Sequence, residues 1–351
     1  MKIEKLRSLE RIANVLIRDM FKIKEGESVA ITVDDGSQMD IVNHVFSKVR
    51  EHGGLPMIIQ IPVGRGDAEV GMPDWPVAPL TAALCTVDIW LEMNSVVLLY
   101  SRIWEDAIQK NKKLRYLIIG NSTMKSLDRV FTGYDIETLG QLLNGVMQMA
   151  AETTKVRITS DNGTDVTYLT DKNHALDIDD GDYSKPIFGT APGYVNIVPR
   201  VGSMSGRIVF DELQNTTIYE TGETLEFAMR DGKIDDIKGA NEAERFSEYL
   251  LTFNDPNMYK ISHHMIGLNP NVRSLVGEIV EDERIWGGVD FGFGHTSPID
   301  MPPHGQVAKS HFDGVVARTT IYFDEVKIIE DGEVCHPSLT KFAEQLVGRS
   351  V

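Results

Sequence analysis

Ile3, Leu6, Leu9, Ala13, Leu16 and Met20 recur at three- and four-residue steps, the spacing of one face of a helix. Short apolar runs follow at 29–33 and 55–61, each bracketed by Gly, Asp or Pro, which suits buried strands. Between them Met39, Val42, Val45, Phe46 and Val49 return to the helical period. Further strands are expected at 89–91, 96–99 and 114–119, and helices around 103–112 and 136–152. Alternation of this kind predicts an α/β layer, a doubly wound and mostly parallel sheet covered by helices.

From about residue 155 the pattern shifts towards strands. Asp161-Asn162-Gly163 and Asp231-Gly232-Lys233, each flanked by strand-like residues, read as hairpin turns. One helix is expected over about 240–252, with strands at 275–280, 314–323 and 326–330, and glycines cluster at 287–294. The expected organisation is therefore an N-terminal α/β domain over 1–153 and a strand-rich α+β domain over 154–351. No repeat or low-complexity linker marks the boundary.

Composition narrows the function classes. With 42% hydrophobic and 25% charged residues the chain is an ordinary globular one, and no uncharged run approaches the roughly 20 residues of a membrane span. The net charge of −17 argues against a nucleic-acid partner and against a basic membrane-binding face. Two cysteines, Cys85 and Cys335, build no disulfide framework, and the mixed-charge N-terminus does not read as a targeting segment. A cytoplasmic location is expected.

Several common chemistries lack their residues. There is no GxxxxGK(S/T) loop, no HExxH, no GxSxG, and Gly64-Arg65-Gly66 lacks the third glycine of a dinucleotide fingerprint. The histidines are unevenly spread, with seven of nine beyond residue 153. His311-Phe312-Asp313 stands out because residues i and i+2 of a strand share a face. An imidazole and a carboxylate on one face, joined by a second histidine, form the facial triad of non-haem iron(II) enzymes. Nine histidines in a chain with 52 acidic residues yield roughly one such pair by chance, so the pair alone carries little weight.

Its surroundings carry more. Glu242-Ala243-Glu244, then Phe253-Asn254-Asp255-Pro256, Tyr259, Ile261-Ser262-His263 and Gly267-Leu268-Asn269-Pro270 follow one another along the chain. This stretch resembles the 2,5-dihydroxypyridine 5,6-dioxygenase family, which has an acidic helix, an FNDP-like turn, an ISH segment and a later H-x-D pair at similar spacing. The fold is shared with the thermophilic leucyl aminopeptidases. The resemblance implies a C-terminal metal-binding domain in which His263, His311 and Asp313 hold one Fe(II). It also implies a small hydroxylated aromatic substrate, cleaved with O₂ and without an organic cofactor; a dihydroxypyridine would give an N-formyl maleamic acid.

Two stretches depart from that family. Where it carries Leu-Leu-His-Ser, with the histidine believed to act as base, this chain has Leu98-Leu99-Tyr100-Ser101; near its His-Trp-Pro-Ser segment this chain runs Gly189-Thr190-Ala191-Pro192-Gly193-Tyr194. Tyr100 is thus expected to handle a polar group of the substrate, or else to pack with its hydroxyl bonded to backbone. His264 and His295 are the other acid–base candidates; His264 alternatively packs, and His295 alternatively lies in a loop. The aminopeptidase alternative requires two metals bridged by carboxylates. Glu278 fits one of its glutamates, but Tyr194 follows Pro192-Gly193 where the other should stand. A homo-oligomer is expected by default.

Overall fold

The computed structural model describes residues 2–120 and 122–348. Its contacts divide the chain into two units, Met1–Ile136 with Gly181–Pro192, and Glu137–Asp180 with Gly193–Val351.

The first unit is built on five parallel strands in the spatial order Leu55–Gln60, Ser28–Val33, Ile89–Glu92, Arg115–Ile118, Ile187–Gly189. The central strands are apolar on both faces and almost wholly buried, as a helix-covered parallel sheet requires. Helix Met39–Glu51 buries Ile41, Val42, Val45 and Val49, one stripe at helical spacing. The doubly wound layer expected from the sequence is therefore present.

Its fifth strand comes from beyond residue 153, where the sequence suggests a single cut. Ile187, Phe188 and Gly189 pair in register with Arg115, Tyr116 and Leu117, so this short segment completes the first sheet. The N-terminal helix runs over Lys2–Asn14 and continues as a π-helical turn over Val15–Met20. Leu9, Ala13, Leu16 and Met20 are buried, but Ile3 and Leu6, expected on the same apolar face, are exposed.

Residues 96–99, expected as a strand, form a turn instead. Their backbone donors go to side chains: Val96 N–H to Asp34, Val97 N–H to Asp67 and Leu98 N–H to the buried Glu92. With the carboxylates accepting, no ladder is needed to satisfy this backbone. The turn ends at Tyr100, whose φ of 65° lies in the left-handed region.

The second unit has two antiparallel sheets. The larger runs, in order, Lys233–Gly239, Leu225–Arg230, Ser205–Phe210, Asp165–Leu169, Lys155–Thr159, Thr320–Phe323, Val326–Glu330, Glu333–Val334. The smaller runs Glu212–Leu213, Gln306–Val316, Val289–Thr296, Ile261–Gly267, Tyr194–Ile197, Leu176–Asp179. Both expected hairpins are there; Asp231 and Gly232 sit at φ 50° and 73°, the paired positive values that a two-residue turn of this hand needs. Two expectations fail locally. Positions 275–278 form a loop and 279–280 open a helix rather than a strand, because the Asp282 carboxylate accepts from the N–H groups of Val276, Gly277 and Glu278 and starts the short helix Ile279–Asp282. The single strand expected over 314–323 is two, Gln306–Val316 and Thr320–Phe323, lying in different sheets.

A layer of aromatic rings fills the core between these sheets. Phe227 meets Phe210 at 4.8 Å and Phe293 at 5.4 Å, and Phe293 stacks on Phe312 at 5.2 Å. All four are buried. Among the described residues no helix is long and apolar enough to cross a membrane.

Candidate metal centre

Three neighbouring strands of the smaller sheet, Ile261–Gly267, Val289–Thr296 and Gln306–Val316, bring the sequence-predicted triad together. Their register sets His263 opposite Gly292, Gly292 opposite Asp313, and Gly294 opposite His311. Alternation sends His263, His311 and Asp313 to one face, and their neighbours His264 and Phe312, both fully buried, to the aromatic face. The donor atoms of His263, His311 and Asp313 lie within 4.8 Å of one another. Each side chain retains only 15–19% exposure, so the cluster is shielded yet reachable.

Gly292 makes the row possible. A Cβ at that position would stand 2.4 Å from Cε1 and 2.8 Å from Nε2 of His263. The imidazole occupies the place of the missing side chain and stacks on the His311 ring, centroids 5.1 Å apart and planes 11° apart.

Each ring is oriented by its surroundings. His311 Nδ1 lies 2.8 Å from the backbone carbonyl of His295, so that nitrogen donates there and Nε2 is left facing Asp313 at 2.9 Å. Burial presses His311 towards its neutral form, but the Asp313 charge and hydrogen bond outweigh it and hold its pKa at about 8. His263 Nε2 has no hydrogen bond; it faces Asp290 at 3.4 Å and Asp313 at 3.8 Å. Burial, helped by the His311 charge, lowers its pKa to about 4. One imidazole therefore stays neutral while the other carries the proton of the pair.

Three further residues of the cluster escaped sequence reading. Asp290 is fully buried, accepts no hydrogen bond on either oxygen, and is pushed strongly towards its protonated form by burial and by the charges of Asp313 and Glu283. Glu283, Asp290 and Asp313 make a second group whose oxygens lie within 4.8 Å of one another. Arg284 is buried and hydrogen-bonded to Glu283. Glu278, singled out from the sequence, belongs to neither group. The available signal was Asp290 itself, one acidic residue inside the otherwise apolar and glycine run 287–294.

The acid–base candidates fall in different places. His264 lies on the aromatic face, with Nδ1 2.8 Å from the Tyr168 hydroxyl and its ring against Phe291. His295 is mostly buried near His311; burial first, then the His311 charge, lowers its pKa. Tyr100 belongs to the first unit, where its ring sits edge-on to Trp104 at 5.4 Å.

A model of the 2,5-dihydroxypyridine 5,6-dioxygenase family matches residues 17–336. The chain belongs to that family. A curated relative, 2,5-dihydroxypyridine 5,6-dioxygenase of Pseudomonas putida, is 24% identical over 155 residues, or 41% of this chain. The match spans 43% of that relative, less than half its length. The solved structure of the Pseudomonas putida 2,5-dihydroxypyridine dioxygenase superposes with a TM-score of 0.80 at 18% identity, covering 96% of this chain and 99% of that one. AmpT from Thermus thermophilus follows at 0.68 and 12% identity, covering 94% and 100%. The fold is thus shared by a dioxygenase and an aminopeptidase, as the sequence resemblance implies.

The Gly292 gap can be tested directly. Gly292→Ala is expected to turn the His263 ring out of its stack, at an overpacking cost of about 1–3 kcal/mol in unfolding free energy. A crystal structure of the variant with the two rings still stacked would contradict this account of the row.

Proposed function

We propose that the protein is a mononuclear iron(II)-dependent dioxygenase that opens a hydroxylated N-heteroaromatic ring, dihydroxypyridine-like, or a related phenolic ring. One observation carries the reading: His263, His311 and Asp313 converge within 4.8 Å in a chain of the 2,5-dihydroxypyridine 5,6-dioxygenase family. Two imidazoles and one carboxylate suit iron(II) and leave positions open for other ligands. His263 Nε2, buried and without a hydrogen bond, is the kind of donor a metal satisfies. Bound there, iron(II) would supply a Lewis acid that acidifies a ring hydroxyl and a redox centre linking the ring to O₂.

The chain's own groups have separate tasks in this reading. The His295 carbonyl holds His311 Nδ1 and so keeps Nε2 aimed at the metal position. The His295 ring, kept neutral by burial, exchanges a hydrogen bond with substrate. His264 positions the strand from its aromatic face through Tyr168. Tyr100, standing where the family carries its histidine, is assigned a proton-donating role in this reading, since a phenol is a weaker base than an imidazole near pH 7. Its left-handed backbone, costly for a bulky residue, supports a role beyond packing.

A second reading, a two-metal aminopeptidase, draws on the carboxylates of Glu283, Asp290 and Asp313. Anaerobic Fe(II) loading followed by oxygen-electrode assays separates the two. The dioxygenase consumes one O₂ per ring opened and hydrolyses no peptide. His263→Ala, His311→Ala and Asp313→Ala each lose bound iron and oxygen uptake together; full activity in any of them would remove that residue from the site.

Metal uptake also depends on pH in a defined direction. Below about pH 8 His311 carries the proton that the metal must displace, so apparent affinity falls as pH drops, by up to about tenfold per unit from this group. Isothermal titration in buffers of different ionisation enthalpy should register proton release at pH 7; no release and a flat affinity between pH 6 and 8 would contradict it. Finally, Tyr100→Phe is expected to lower turnover at unchanged iron content. Normal turnover with unchanged KM would leave Tyr100 a packing residue.

A further inference from the structure

Beside the triad the site carries a fixed positive charge. Arg284 has 1% side-chain exposure; Nη1 donates to the Val280 carbonyl at 2.6 Å and to the Glu283 carboxylate. The guanidinium lies over the Tyr194 ring, 5.2 Å from its centroid. Its charge acts on Glu283, Asp290, Asp313 and His263, and Asp179 faces it as well. Unlike an imidazole or an amine, a guanidinium does not give up its proton inside a protein. The positive charge is therefore permanent.

Glu283, Asp290 and Asp313 would otherwise suit a divalent ion. Their oxygens lie within 4.8 Å of one another, and Asp290, wholly buried, accepts no hydrogen bond on either oxygen. Together with His263 and His311, these groups amount to the mixed histidine and carboxylate set that two-metal hydrolytic sites use. Arg284 changes what the set can take. Its guanidinium already holds the Glu283 carboxylate, and a second divalent ion would stand beside a like charge in a shielded site, where repulsion is poorly screened. One divalent ion on the triad plus the guanidinium already matches the three carboxylates with every one of them ionised.

We propose that Arg284 takes the place of a second metal ion and thereby limits this centre to one. The inference rests on the metal reading above and deepens it: on a fold shared with an aminopeptidase, a single side chain separates one-metal from two-metal occupancy.

The test is a stoichiometry. Metal-free protein is titrated anaerobically with Co(II), desalted, and its bound cobalt counted per chain by elemental analysis, with circular dichroism confirming the fold. Wild type is expected to hold one ion, Arg284→Gln two, and the double variant Arg284→Gln, Asp290→Asn one again. Two ions in the wild type overturn this inference while leaving the metal reading intact. No ion in the wild type overturns the metal reading and this inference with it. A folded Arg284→Gln protein that holds one ion, or a double variant that holds two, also overturns it. Loss of a buried guanidinium can unfold a chain, so wild type at hundredfold cobalt excess supplies a second measurement. An uncoupled high-spin Co(II) resonance at every loading supports the inference, and a spin-coupled pair overturns it.

Discussion

Gly292 stands between His263 and Asp313 in one row across three antiparallel strands, and the space it leaves is filled by an imidazole. That row depends on register. A slip of one residue in any of the three strands would send its side chain to the opposite face. Register is pinned from behind, where Phe291, Phe293, Phe312 and His264 are packed into a closed aromatic layer. The residues alternating with the triad are thus the ones that hold it in position. Rigid placement on strands, rather than on loops, suits a centre whose donors must sit within a few tenths of an ångström of one geometry.

The front of the same sheet is electrostatically expensive. Glu283, Asp290 and Asp313 are largely withdrawn from water around a single buried guanidinium, with two stacked imidazoles alongside. Burying carboxylates without full compensation costs stability. Within this cluster the Asp313 carboxylate holds His311 at about 8 against the pull of burial, while burial lowers its neighbour His263 to about 4.

Much of this was legible in the sequence, for identifiable reasons. The parallel layer and both hairpins followed from periodicity and turn chemistry, which act locally. His311 and Asp313 were legible because a separation of two on a strand fixes a shared face, and His263 because its flanking motif resembles a known family. Asp290, Glu283 and Arg284 were not, since their meaning lies in register across strands and, for Glu283 and Arg284, in the turn that follows the helix Ile279–Asp282, some 20 positions beyond His263. The segment 187–189 shows the same limit: nothing local in Ile187-Phe188-Gly189 tells that it pairs with a strand some 70 residues earlier. Residues 96–99 misled for the converse reason. Their apolar run favours a strand, but three carboxylates, those of Asp34 and Asp67 far off in sequence and that of Glu92 nearby, accept the backbone donors and hold a turn.

Everything proposed for this site turns on one ion held by His263, His311 and Asp313. The most direct test is anomalous diffraction at the iron edge from crystals grown and loaded with Fe(II) under anaerobic conditions. The expected map has one iron peak per chain, at bonding distance from Nε2 of both histidines and from the Asp313 carboxylate, with the Arg284 guanidinium still on Glu283. An iron peak away from these three residues, or no peak in a fully loaded crystal, would contradict it.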